Sequence, residues 1–303
     1  MGLTIPFEGV PLHELGALAR RAETAGYEGL WSAESTSYDG FTPLAVAAGQ
    51  TERVRLVTGI VNVFTRGRAL LAQTAAALAD VSDGRFVLGL GASSNVIVER
   101  WNGIPFERPL KQVEETVTYL RAVLAGERGD GGFKLGSPPA RPVPIVLAAL
   151  RAPMLRLAAR VADGAFTNFL PLSRVGQVSE AFGAPDKELA CRLFSFHGPD
   201  ALVTAKRTFV AYATVPVYTE FFRWLGFAAA VDPIVEAWTA GDRARAVELV
   251  PEELLQEIFL LGTVDEQRAR LGEFGRAGID TAVLAFAAPL AEVTRLIDAF
   301  APG

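Results

Sequence analysis

The chain has 303 residues, half of them hydrophobic, enough for a sizeable core and too many for a disordered chain. Its formal charge of −5, from 34 acidic and 29 basic residues with no block of one sign, offers no basic face for nucleic acid. One cysteine, Cys191, and two histidines, His13 and His197, exclude an intramolecular disulfide and argue against a metal cage.

The first strand-like run, Leu3–Phe7, begins almost at the initiator Met with no basic, cleavable leader before it, so the expected location is the cytoplasm. Leu12–Ala25 reads as a helix with Leu12, Leu15, Leu18 and Ala22 on one face, stopped by Gly26. Gly29–Ala33 is the next strand, Thr42–Gln50 a helix, and Val54–Val63 a β-branched strand. Ala69–Val81 is an alanine-rich helix, Arg85–Leu90 a strand and Leu110–Leu124 a helix. After the Gly- and Pro-rich loop Gly126–Pro144 come the strand Val143–Leu150, the helix Pro153–Ala162 and the strand Gly164–Phe169. Apolar runs such as Val143–Leu150 are far shorter than the roughly 20 residues of a membrane span.

Leu189–Phe196 and Thr281–Phe286 bring the strands to eight. Strict alternation with helices predicts an α/β fold of the (β/α)8 TIM-barrel type, one domain over residues 1–303. A doubly wound sheet would carry a Gly-rich turn after its first strand, and Glu8-Gly9-Val10-Pro11 does not fit one. Between about 200 and 262 the rhythm stops, and helices are predicted over Asp200–Thr214, Pro216–Gly226, Asp232–Ala240 and Asp242–Glu248, with a short one after Pro251. This insertion follows the seventh strand, so it belongs at the C-terminal mouth, where barrel active sites lie.

The candidate residues sit at strand ends. Glu34 follows Trp31 at the rim and reads as a carboxylate that orients a cofactor or exchanges a proton. Gly59, inside a β-branched strand, marks a bulge or a close backbone approach. Gly91, Ala92, Ser93 and Ser94 end the fourth strand with small and hydroxyl side chains. Ala149, Leu150 and Arg151 precede Pro153, whose helix start offers free amides to an anion. His13 reads as structural, and His197, ending the seventh strand, is the better placed of the two histidines. No nucleophile elbow and no phosphate loop of the Walker type occur, so a borrowed cofactor is expected to do the chemistry.

Thr58–Arg66, Ser82–Ser94 and Glu99–Phe106 together resemble the luciferase-like monooxygenase family, closest to its branch dependent on coenzyme F420, the 8-hydroxy-5-deazaflavin that methylenetetrahydromethanopterin reductase uses. The similarity runs over most of residues 1–170 and returns at Gly278–Pro289. The resemblance implies a flat ring in the barrel mouth, with a cis peptide at Gly59–Ile60 and Val61 beside it pressing on one ring face. It implies that Gly91–Ser94 and Ala149–Arg151 hold the ribityl chain and phosphate, and that Glu34 takes the place of the family's acidic residue. Ser35 and Thr36 stand where the branch's sugar-phosphate dehydrogenase has other residues, which argues against glucose 6-phosphate. The expected reaction is hydride transfer between the deazaflavin C5 and an apolar organic substrate, with Tyr212, Tyr218 and Phe222 of the insertion against the substrate. FMN with oxygen, as a monooxygenase, is the alternative, and a catalytically silent flavin-binding relative is the alternative from another class. A homodimer, without membrane or nucleic-acid partners, is what the family implies.

Overall fold

In the computed structural model, which describes residues 1–302, nine parallel strands form one sheet. They are β1 (Gly2–Ile5), β2 (Gly29–Ser32), β3 (Arg55–Thr58), β4 (Val61–Asn62), β5 (Phe86–Gly91), β6 (Ile145–Ala148), β7 (Gly164–Asn168), β8 (Glu188–Phe196) and β9 (Thr281–Ala287). The order β3-β2-β1-β9-β8-β7-β6-β5 closes on itself through β3–β5 pairing. Since β4 prolongs β3 along β5, the nine strands are eight staves of a closed barrel. This is the (β/α)8 TIM barrel that the alternation predicts.

The predicted strand Val54–Val63 is broken in its middle. Val57 pairs with Val87 and Val61 with Leu90, so four steps on one strand oppose three on the other. That extra residue is a β-bulge. Thr58 replaces the lost ladder: its hydroxyl donates to the Gly89 carbonyl at 2.8 Å and accepts from the Gly89 N–H at 2.7 Å. The Gly59–Ile60 peptide within the bulge is cis, as the resemblance implies.

Outward-facing Leu3, Leu30, Leu56, Leu88 and Leu147 are fully buried against the surrounding helices. Inside the barrel, Trp31, Val57, Val87, Val146, Phe166, Ala190 and Val283 fill the N-terminal half. The insertion forms the helices Ala201–Ala213, Pro216–Trp224, Ala228–Thr239, Arg243–Glu248 and Glu252–Ile258, packed round a cluster of their own. The third of these starts four residues earlier than Asp232 and takes Pro233 into its interior, where the missing N–H costs one i→i−4 hydrogen bond. The elements that escape the sequence reading include Val175–Phe182, where Gly176 weakens the helix signal, Leu290–Ala299, and a π-helix at Val96–Trp101 whose Val-Ile-Val run reads as strand. No described helix is long and apolar enough to cross a membrane.

Glu23 ties the helix Leu12–Thr24 to the start of β3. Its buried carboxylate accepts from the N–H groups of Glu52, Arg53 and Val54 at 2.6–3.1 Å. Burial opposes its ionisation, but the three donors outweigh it and the pKa falls below the usual carboxylate range. A depressed pKa means stabilisation that is present above the unfolded value of about 4.3 and is lost as pH falls through the folded one. Glu23→Gln should therefore cost about 1–2 kcal/mol at neutral pH. Melting curves of the two proteins should converge below about pH 4; a constant gap from neutral to acid would remove the carboxylate from this account.

Candidate active site

Strand alternation decides which residues look into the lumen. Gly59, Gly89 and Gly91 share the inner face with Val57 and Val87, Ala148 follows Val146, Asn168 follows Phe166, and Arg192 and Phe194 follow Ala190. The floor is closed, for the tilted rings of Trp31 and Phe166 lie 4.6 Å apart and are 1% and 5% exposed. Above them Ile60, Ala148, Leu150, Arg192 and Phe194 keep partial solvent access, so the lumen opens at the C-terminal mouth.

The two sides of that opening differ. On the adjacent staves β3, β5 and β6 the inner face carries only Gly59, Gly91 and Ala148 beside Ile60. A Cβ on Gly91 would stand 2.9 Å from Ile60 Cδ1 and 3.0 Å from Ala148 Cβ, so the Ile60 side chain packs over Gly91 and leaves no room there for a second one. The opposite wall is aromatic: the partly exposed Phe194, Tyr212 and Tyr218 stand round the buried Phe169, at 5.3, 4.3 and 5.5 Å from its ring. Asn168 Nδ2 donates to the Tyr218 hydroxyl at 3.1 Å. Burial, and then Tyr212, push that hydroxyl above the ordinary tyrosine range, so it stays protonated and able to donate.

Several expectations change in detail. Glu34 is no free rim carboxylate. Arg66 grips both its oxygens, at 2.7 and 2.5 Å, and the Gly40 N–H adds a third donor at 2.9 Å. The loop after β4 delivers Arg66, because Asn62 Oδ1 accepts from the N–H groups of Phe64 and Thr65 and turns the chain. With both oxygens occupied, proton exchange at Glu34 would first have to break the fork.

Val61 and Ala149 face the helices and are buried in the main core, so towards the lumen they present backbone alone. Ser93 takes a left-handed conformation, φ 63°, and with Ser94 leads into the π-helix beside the mouth, a form often found at functional sites. Ala92 and Leu150 are partly exposed and pack against the core, and Arg151 is the extended N-cap of the helix Ala152–Val161 with Pro153 in its first turn. Phe222 is fully buried against Phe209 and Phe221 inside the insertion, whereas Tyr212 and Tyr218 sit against Phe169. Tyr218 and Phe222, four residues apart, share one face of Pro216–Trp224, with Tyr218 partly exposed and Phe222 buried in the insertion's own cluster.

The histidines lie elsewhere. His13 is exposed beside Glu14, a surface residue with no structural part. His197 points outward from β8 onto Phe286 and Phe300. Ser195 donates to Gln267 Oε1 at 2.6 Å, so the His197 Nε2–H must donate to Ser195 Oγ, also at 2.6 Å. Burial, and then Arg295, lower its pKa.

Three residues of the site escape the sequence reading: Arg66, Phe169 and Arg192. Arg192 alone leaves a signal, a charge inside the apolar run Leu189–Phe196. No cluster of three or more His, Cys, Asp or Glu side chains suited to a metal occurs among the described residues.

The family model described as luciferase-like monooxygenase matches residues 2–281 of this barrel. The chain belongs to the luciferase-like monooxygenase family. Among luciferase-like relatives, a Mycobacterium tuberculosis protein described as a coenzyme F420-dependent oxidoreductase is 26% identical, over 94% of each chain. The 5,10-methylenetetrahydromethanopterin reductase of Methanolobus tindarius is 27% identical over 89% of each. The coenzyme F420-dependent tetrahydromethanopterin reductase of Methanopyrus kandleri shares the fold, with a TM-score of 0.76 at 23% identity, covering 99% of this chain and 96% of the other. Luciferase-like proteins are enzymes, and in this barrel the partly exposed Ile60, Ala148, Arg192 and Phe194 mark the solvent-accessible end of the lumen above Trp31 and Phe166.

Proposed function

We propose that this chain is a coenzyme F420-dependent oxidoreductase that transfers a hydride between C5 of the deazaflavin and an organic substrate. The observation that carries the reading is the asymmetry of the mouth. One wall carries only Gly59, Gly91, Ala148 and the Ile60 side chain that packs over Gly91, and the other carries the partly exposed Phe194 and Tyr212, backed by Phe169. A flat ring fits against backbone better than against side chains, and apolar substrate surface fits against the aromatics. The names of the relatives favour the deazaflavin over FMN.

In this reading Gly59, Ile60 and the backbone of Val61 back the ring, Gly91–Ser94 line its side, and Leu150 and Arg151 lie towards its phosphate. The bound coenzyme supplies or accepts the hydride. The protein's part is to align the partners and exclude water, with Tyr212 and Tyr218 closing the space from above. Tyr218, held by Asn168, can donate a hydrogen bond to a substrate oxygen or nitrogen. Glu34 acts as a positioning residue, since through Arg66 and Gly40 it clamps the β2 loop to the loop that follows the bulge.

Equilibrium titration followed by ring fluorescence tests the cofactor. Coenzyme F420 should bind at least about tenfold more tightly than FMN, a difference of about 1.4 kcal/mol. Equal affinities, or FMN retained stoichiometrically through purification, would sink the proposal in favour of flavin chemistry.

A further inference from the structure

Arg192 is a cation with too few partners. It leaves β8, which stands opposite β3 with three staves between them on either side, and reaches across the lumen to donate to the Gly59 carbonyl. Its Cζ lies 5.3 Å from the Phe166 ring centroid. Its Nε is buried with no acceptor, and Arg192 forms no ion pair among the described residues. Arg85 shows what this fold does with an arginine that serves only structure: its guanidinium is spent on the carbonyls of Ala48, Thr51, Val54 and Ser82 and the Thr51 hydroxyl. A guanidinium has five N–H donors, and one left short of acceptors in a partly desolvated pocket is costly unless a ligand supplies them.

Directly above Arg192 on the same strand face stands Phe194, with Phe169 and Tyr212 beside it. The inner face of β8 therefore reads cation below and aromatic above. We infer that the substrate of this site is an organic acid, with a flat or bulky apolar body against Phe194 and Tyr212 and a carboxylate, or another ionised oxygen, on Arg192. The inference rests on the mouth being the substrate site and narrows the apolar substrate of the proposed reaction to an amphiphilic anion. Planar guanidinium matches carboxylate in two parallel hydrogen bonds, and the low local dielectric strengthens them.

Calorimetric titration of the purified chain with 2-naphthoate and with its neutral counterpart 2-naphthalenemethanol, each with and without saturating coenzyme F420, decides the matter. The wild type should prefer the naphthoate by at least about tenfold, and Arg192→Met should reduce the preference to about twofold or less. Arg192→Lys should keep part of it, and Arg160→Met, a surface arginine paired with Glu114, should keep all of it. Melting temperatures separate lost recognition from lost folding; should the Met variant not fold, the wild-type comparison and the Lys variant decide alone. Equal binding of the two probes by the wild type would overturn the inference. So would a preference that survives Arg192→Met, or a methionine variant that loses F420 affinity when the wild type never preferred the naphthoate, which would assign the cation to the ring. A protein that binds no F420 yet prefers the naphthoate would refute the proposed cofactor and leave Arg192 as the acid-binding residue.

Discussion

Gly89→Ala should destabilise the protein by about 3 kcal/mol or more, roughly 5–10 °C in melting temperature. The added Cβ would fall 1.7 Å from the Thr58 carbonyl oxygen and 2.9 Å from its carbon. Those atoms are backbone in the centre of a closed sheet, so no rotamer change relieves the overlap. The hydroxyl of Thr58 is also bonded to both the N–H and the carbonyl of Gly89, so any shift that makes room loosens those bonds. Gly275→Ala is the matched control. Its new Cβ meets nothing within 4 Å near the end of the exposed helix Val264–Ala277, so it should stabilise by up to about 0.5–1 kcal/mol. Paired denaturation curves check both signs; an unchanged midpoint for Gly89→Ala would mean that the bulge rearranges freely.

The second large effect is on turnover. Glu34→Gln should lower kcat/KM for any accepted substrate by about tenfold, near 1.4 kcal/mol. Glutamine keeps an acceptor for the Gly40 N–H but leaves Arg66, about a fifth exposed at its side chain, without its counter-charge. Some stability goes with it, about 1–2 kcal/mol. The two roles open to Glu34 separate on the pH–rate profile. A positioning residue predicts that Arg66→Gln has the same effect and that both variants keep the wild-type profile. Loss of one limb of the profile in Glu34→Gln alone would instead make the carboxylate a proton carrier.

The site was partly legible beforehand, and the reasons differ residue by residue. Gly59 stood out because glycine in a β-branched strand is locally anomalous, and the bulge lies there. Gly91 ends β5 and Arg151 caps the helix after β6, the places that their small neighbours and Pro153 give them in the sequence. Phe222 could not be told from Tyr212 and Tyr218, since all three are aromatic residues on neighbouring helices of one insertion. Phe169 gave no warning, because its left-handed turn at the end of β7 is a matter of how the chain leaves the barrel.

From the sequence by itself follow the eight βα units, the parallel barrel, the helical insertion at its mouth and the strand that breaks at Gly59. These rest on hydrophobic period, glycine placement and chain order, which act over a few residues at a time. Only the tertiary structure decided that Glu34 is held by Arg66, 32 positions away, that Val61 and His197 face outward, and that Arg192 crosses the lumen without a counter-ion. Those outcomes depend on which side chains closure of the barrel brings within hydrogen-bond range. Charge and hydrogen bonding act over a few ångströms through space, and no spacing along the chain encodes that distance.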